Sequence, residues 1–121
     1  MTLPKLLQTA IIVLLLDGIY LTTLSSTFAK MIKNIQKSEL QSRYLSYAFT
    51  YIIMITGLYY FIIKPNRSVL EGGLLGFLIY GVYDGTNYGI FKKWPLKIFL
   101  LDIAWGTFLF ATTTKIIKLL N

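Results

Sequence analysis

The sequence predicts an all-α fold: a polytopic integral membrane protein built as an antiparallel four-helix transmembrane bundle, in one domain over residues 1–121. Three observations lead there. Of 121 residues, 55% are hydrophobic and only 14% are charged, against about a quarter charged in ordinary soluble domains, and the mean hydropathy is +0.63. A water-soluble chain of this length has too little interior to hide so many apolar side chains. The apolar residues also fall in four blocks, each close to the roughly 20 residues that a helix needs to cross the hydrocarbon layer. Finally, Pro4, Pro65 and Pro95 stand at the edges of these blocks, where a missing N–H harms no helix ladder. Transmembrane strands are disfavoured, because the apolar runs far exceed the 9 to 11 or so residues of a barrel strand and lack its alternation.

The first span is expected over about 6–28. Lys5 before it and Thr27-Phe28-Ala29 at its end allow a secretory signal as an alternative, but the apolar run is long for a signal core and carries Asp17. Residues 29–43 follow with Lys30, Lys33 and Lys37 at helical spacing and Met31, Ile32 and Ile35 between them. This is an amphipathic basic stretch at the membrane surface, its lysine stems lying along apolar contacts and its ammonium groups meeting anionic headgroups; a surface for a specific partner is the alternative. The second span is expected over 44–63, the third over 72–91 and the fourth over 96–120. Short connections at 64–71 and 92–95 make consecutive spans antiparallel neighbours.

The net charge is +7, but the basic residues sit between apolar blocks and form no continuous patch. They point to a bilayer with anionic headgroups as the partner and not to nucleic acid. Seven cations flank the side carrying the 29–43 and 92–95 connections and five flank the other, which places both termini on the non-cytoplasmic side. The chain has no cysteine and no histidine. Disulfides, thiol catalysis, the commonest metal ligand and the commonest general base are therefore absent, and no metal or cofactor is expected.

Glu39 and Glu71 lie in connections, whereas Asp17, Asp84 and Asp102 fall within spans. A central intramembrane Asp costs about 2.5 to 3.5 kcal/mol on insertion scales, so all three are expected to face inward. At roughly 1.5 Å per residue, Asp84 and Asp102 each lie about 10 Å below the 92–95 connection and Asp17 about 16 Å from the same side, so all three are expected to converge. No Lys or Arg lies deep in a span. Within a helical turn stand only neutral hydrogen-bonding groups: Tyr20 at i+3 from Asp17; Tyr80, Tyr83, Asn87 and Tyr88 around Asp84; and Trp105 at i+3 from Asp102. Two regimes fit: protonated carboxyls, or a cation held between them. The plainer alternative is interhelical glue, each polar group satisfying another.

In the third span Gly81, Gly85 and Gly89 repeat every four residues, and Gly72 with Gly76 makes a second stripe; Gly106 lies in the fourth span. Such spacing permits close backbone approach. The third helix is accordingly expected to be central, with a homodimer face as the alternative use of its stripe.

Tyr83-Asp84-Gly85-Thr86-Asn87, then Trp94-Pro95-Leu96, then Asp102-Ile103-Ala104-Trp105-Gly106-Thr107 closely resembles the signature of a family of small four-span membrane proteins, domain-of-unknown-function family 2177. Asp17 with Tyr20-Leu21 resembles that family's first-span Asp and aromatic-Leu pair. The resemblance implies four membrane helices and the same Asp, Asn and Trp positions, and brings no activity with it. Three functional classes follow. The first is a small protein that moves or binds protons, a cation or a small amine through Asp17, Tyr20, Tyr83, Asp84, Asn87, Asp102 and Trp105. The second is an accessory subunit of a larger membrane or viral assembly. The third, disfavoured by the absence of His, Cys and any nucleophile or phosphate-loop motif, is a lipid-acting enzyme.

Overall fold

The computed structural model describes residues 3–121, and among them every regular element is helical. Helix α1 spans Lys5–Thr23, α2 Ser25–Gln36, α3 Tyr44–Leu58, α4 Val69–Ile90 and α5 Leu96–Leu120. A π-helical turn, Tyr59–Ile63, prolongs α3. Three of these stretches are long and apolar enough to cross a membrane: Lys5–Thr23, Tyr44–Ile63 and Leu96–Leu120.

The second and fourth expected spans coincide with the structure. The first is shorter than expected: the helix breaks at Leu24, whose φ of −104° and ψ of 12° close α1 and open α2. The basic amphipathic stretch consequently begins earlier, at Ser25. Phe28, Met31, Ile32 and Ile35 are among its partly covered side chains while Lys30 and Lys33 are exposed, an apolar stripe at the i, i+3, i+4, i+7 spacing of one helix face. Lys37 ends α2 in the left-handed region, φ 63°. Its ammonium is pushed below the ordinary lysine value chiefly by the Lys93 side chain beside it, in the α4–α5 connection.

The expected third span is helical over Val69–Ile90 but is not among the stretches apolar enough by composition. Its glycines, tyrosines, Asp84 and Asn87 dilute an otherwise apolar run. Its start is well defined: Ser68 accepts from the Glu71 N–H at 3.1 Å while the Glu71 carboxylate accepts from the Ser68 N–H at 3.1 Å. This reciprocal cap satisfies two of the free N–H groups that every helix N-terminus carries.

Helix α5, and not α4, is central. It packs on α4, α1 and the π turn, whereas α4 leans chiefly on α5. The core joins Val13 of α1, Leu58 of α3, Ile62 and Ile63 of the π turn, and Leu109, Phe110 and Ile117 of α5. Long apolar side chains such as Leu15, Ile19, Leu45, Phe49, Leu70 and Leu100 are exposed, as expected of a helix bundle whose surroundings are lipid.

The glycine stripes divide by position. Gly72, Gly73 and Gly76 are buried against α5: a Cβ at Gly72 would meet the Thr114 side chain, and one at Gly76 the Gly106 carbonyl. Gly106 in turn lies under the Tyr80 ring, where an added Cβ would collide with the ring carbons. The two backbones therefore touch through Gly76 and Gly106. Gly81 and Gly89 have nothing within 4 Å of where a Cβ would sit, and Gly85 has only Phe99 at 3.6 Å. Gly81 and Gly89 of the longer stripe thus play no part in packing within the chain, because they lie past the point where α4 and α5 come closest.

Candidate functional site

The three span acids are all buried. Asp17 is 5% exposed, Asp102 8% and Asp84 0%, in keeping with the cost of setting a carboxylate against lipid. They do not behave alike.

Asp17 and Asp102 form a reciprocal clasp between α1 and α5. Each helix carries an acid followed three residues later by an aromatic donor, Asp17 and Tyr20 on one, Asp102 and Trp105 on the other. The Tyr20 hydroxyl donates to Asp102 Oδ1, and Trp105 Nε1 donates to Asp17 Oδ1 at 2.8 Å. Tyr20 and Trp105 stack face to face between the two bonds, with ring centroids 4.6 Å apart and planes 1° from parallel. The interlock requires antiparallel helices with i, i+3 spacing, since both members of each pair then lie on one face one turn apart. Asn121 Nδ2 donating to Gln8 Oε1 at 2.8 Å closes the same pair at its other end.

The second oxygen of Asp17 accepts from the Tyr51 hydroxyl on α3, so both of its carboxylate oxygens are taken. Tyr51 was not among the expected site residues. Its 34-residue separation from Asp17 leaves no local spacing to find it by; an aromatic with a polar tip in the middle of an apolar span is the only signal.

Asp84 is different. Both carboxylate oxygens are fully buried and have no hydrogen-bond partner. The groups beside it are the Asp102 carboxyl and the Trp94 indole. Trp94, 7% exposed, has its own Nε1 buried without a partner, and it too was not an expected site residue; its place in the family-like Trp94-Pro95-Leu96 run was the available signal. Tyr80 spans the two levels of the cluster, lying near Asp17, Tyr51, Asp102 and Asp84 with its ring edge against Phe110.

Within this cluster the acids are held differently: Asp84 lies beside Asp102, and Asp17 is capped by Tyr51 and Trp105. Among the described residues, no three acidic side chains are grouped as the ligands of one metal ion would be. The remaining expected positions lie at the periphery. Tyr83 is 60% exposed, turned about 100° around α4 from Asp84 by the helix period, with its ring edge-on to Trp94. Asn87 is partly buried, lies beside Tyr83 and makes no hydrogen bond to Asp84.

Away from the spans, Arg67 Nη1 donates to Glu71 Oε2 at 2.8 Å. Arg67 and the Ser68 cap hold the Glu71 carboxyl below its ordinary value.

An all-helical chain with apolar spans and an inward acid–aromatic cluster defines a small helical membrane protein. The chain belongs to the family described as "Predicted membrane protein (DUF2177)", which it matches over residues 2–118. No curated protein and no solved structure matches it.

Proposed function

We propose that α1, α3 with its π turn, α4 and α5 all cross the membrane as an antiparallel four-helix bundle, and that the Asp84–Asp102 pair inside it holds a proton or a small cation on its way through the bilayer. For α4, support comes from its length: the helix from Gly72, just past Glu71, to Ile90 runs about 28 Å, close to the hydrocarbon thickness. Its exposed Leu74, Phe77, Leu78 and Val82 suit a lipid-facing side.

The observation that carries the functional reading is Asp84. A fully buried carboxylate with neither oxygen hydrogen-bonded is among the costliest arrangements available to a folded chain unless a proton or a cation neutralises it. Asp102 beside it adds like-charge repulsion. One proton or one monovalent cation between the two acids removes both penalties. Trp94 Nε1, unpaired and adjacent, is placed to donate to whichever oxygen remains charged. Asp17 has no such need, since two donors already cap it.

Purified protein in liposomes tests this. Proton or cation flux above empty vesicles, reduced by Asp84→Asn and by Asp102→Asn, is expected; absence of flux, or flux indifferent to both substitutions, overturns it. A second reading, an accessory subunit docked in a larger membrane assembly, is favoured by the Asp17–Tyr51–Trp105 cap and the Tyr20–Asp102 bond, which staple α1, α3 and α5. Co-purification with a stoichiometric membrane partner, together with absent flux, would establish it. A homodimer through the outward Gly81 and Gly89 is a variant of either reading.

A further inference from the structure

At the end of the molecule where α1 begins and α5 finishes, far along the helices from the acids, lies a pocket of about 440 Å³, within the roughly 300 to 1,000 Å³ typical of small-ligand sites. Three cations from three separate elements line it: Lys5 of the first turn of α1, Arg67 of the α3–α4 connection, and Lys118 of the last turn of α5. No acid lines it. Asn66, Asn121 and Thr114 add neutral polar groups, and Ile62, Ile63 and Ile117 form an apolar floor.

The chain is bent to build this arrangement. The π turn at Tyr59–Ile63 is closed by Lys64 N–H donating to the Tyr59 carbonyl at 2.8 Å, and the Arg67 N–H then reaches back to the Ile62 carbonyl at 2.8 Å. Between them Asn66 adopts a left-handed backbone, φ 57°, which Asn tolerates better than most residues. Its side-chain oxygen fastens the Lys118 ammonium at 3.0 Å. Arg67 is fixed through Nη1 to Glu71, which leaves its other guanidinium nitrogens for a second acceptor. Lys118 is held by a neutral group, and neither it nor Lys5 makes an ion pair among the described residues. Two anchored cations and a third opposite, around an apolar floor, make a fork suited to an oxyanion with several acceptor oxygens.

We infer that this pocket binds a phosphate mono- or diester, the shared chemistry of an anionic phospholipid headgroup and of a soluble phosphate. It is independent of the acid pair and stands whether or not that pair conducts.

The test uses the full chain in detergent, with lipid retention read by native mass spectrometry against phosphatidylglycerol and phosphatidylcholine, and inorganic phosphate titrated in parallel. At about fivefold per membrane-surface cation, the double substitution Arg67→Gln/Lys118→Gln is expected to weaken phosphatidylglycerol or phosphate binding by roughly 30-fold. Lys118→Arg, which keeps the charge, should retain it, and Lys30→Gln/Lys33→Gln on α2 should change it less than twofold. Retention of phosphatidylglycerol without competition by phosphate identifies a lipid source; competition by millimolar phosphate identifies a soluble one, and either supports the site. Unchanged binding of both probes by the double variant overturns it, as does an equal loss in the α2 variant, which would reduce the effect to general surface charge.

Discussion

Asp17 and Asp84 are both buried acids on long helices, and replacing each by the near-isosteric asparagine should separate them cleanly. Asp17 accepts from Tyr51 through one oxygen and from Trp105 through the other. In Asp17→Asn a single carbonyl oxygen remains, so one of the two donors loses its partner and faces the new amide N–H groups. Hydrogen bonds between membrane helices average about 0.6 kcal/mol and reach about 1.7 kcal/mol. An orphaned buried donor adds to the loss, so the expected destabilisation is about 1 to 2 kcal/mol, a factor of roughly 5 to 30 in the unfolding constant. Asp84→Asn breaks no hydrogen bond, because neither oxygen has one, and it removes a carboxyl facing Asp102. Its expected effect on stability is nil or slightly favourable, within about 0.5 kcal/mol. Unfolding by SDS titration in mixed micelles measures both; tryptophan fluorescence reports on Trp94 and Trp105, the only two tryptophans, one beside each acid. If Asp84→Asn destabilises the fold as much as Asp17→Asn, Asp84 is a staple and the reason for placing a cation there is gone.

Three other outcomes are expected. Gly106→Ala should cost about 1 to 3 kcal/mol by driving a methyl into the Tyr80 ring, while Gly81→Ala, with open space around it, should be neutral or stabilising by a few tenths of a kcal/mol; the same SDS titration reads both. The carboxylate of Glu71 is held below its ordinary value of 4.5, so its contribution is present above that value and is lost as pH falls through the lowered folded one. Glu71→Gln should therefore be less stable than the parent at neutral pH and should flatten the acid limb, as seen in thermal melts at stepped pH. Because the chain has no cysteine, single cysteines at Ser38 and Asn66 can be labelled without background; in the proposed orientation, with both termini outside the cytoplasm, Ser38→Cys should be shielded from an impermeant maleimide and Asn66→Cys labelled.

Much of the fold was legible because the relevant physics is local. Apolar runs bounded by Lys and Pro mark 44–63 and 96–120, and the structure places helices at Tyr44–Ile63 and Leu96–Leu120. The burial of Asp17, Asp84 and Asp102 follows from the cost of charge in hydrocarbon and required no knowledge of their neighbours. The break at Leu24 was not legible: nothing in Leu24-Ser25 is a strong helix breaker, and the chain turns where α1 ends and α2 starts laying its Phe28–Ile35 stripe. The longer glycine stripe misled for a related reason, while Gly72 and Gly76 pack as their spacing suggested. Gly81, Gly85 and Gly89 show the more regular spacing, but close approach depends on where two helices cross, and the crossing falls at Gly76 and Gly106.

The candidate site divides in the same way. From the sequence alone come the membrane, the helical class, the inward direction of three acids and the aromatic donor one turn beyond Asp17 and Asp102. Tertiary structure alone decided that these donors serve each other's acid across the α1–α5 contact, that Tyr51 completes the cap on Asp17, and that Asp84 is left bare beside Asp102 and Trp94. Hydropathy and the helix period are written residue by residue along the chain. The pairing of a donor with an acceptor depends on the relative rotation and register of helices far apart in sequence, and those are set by the packing of Val13, Leu58, Leu109 and Phe110 and by the backbone contact at Gly76 and Gly106.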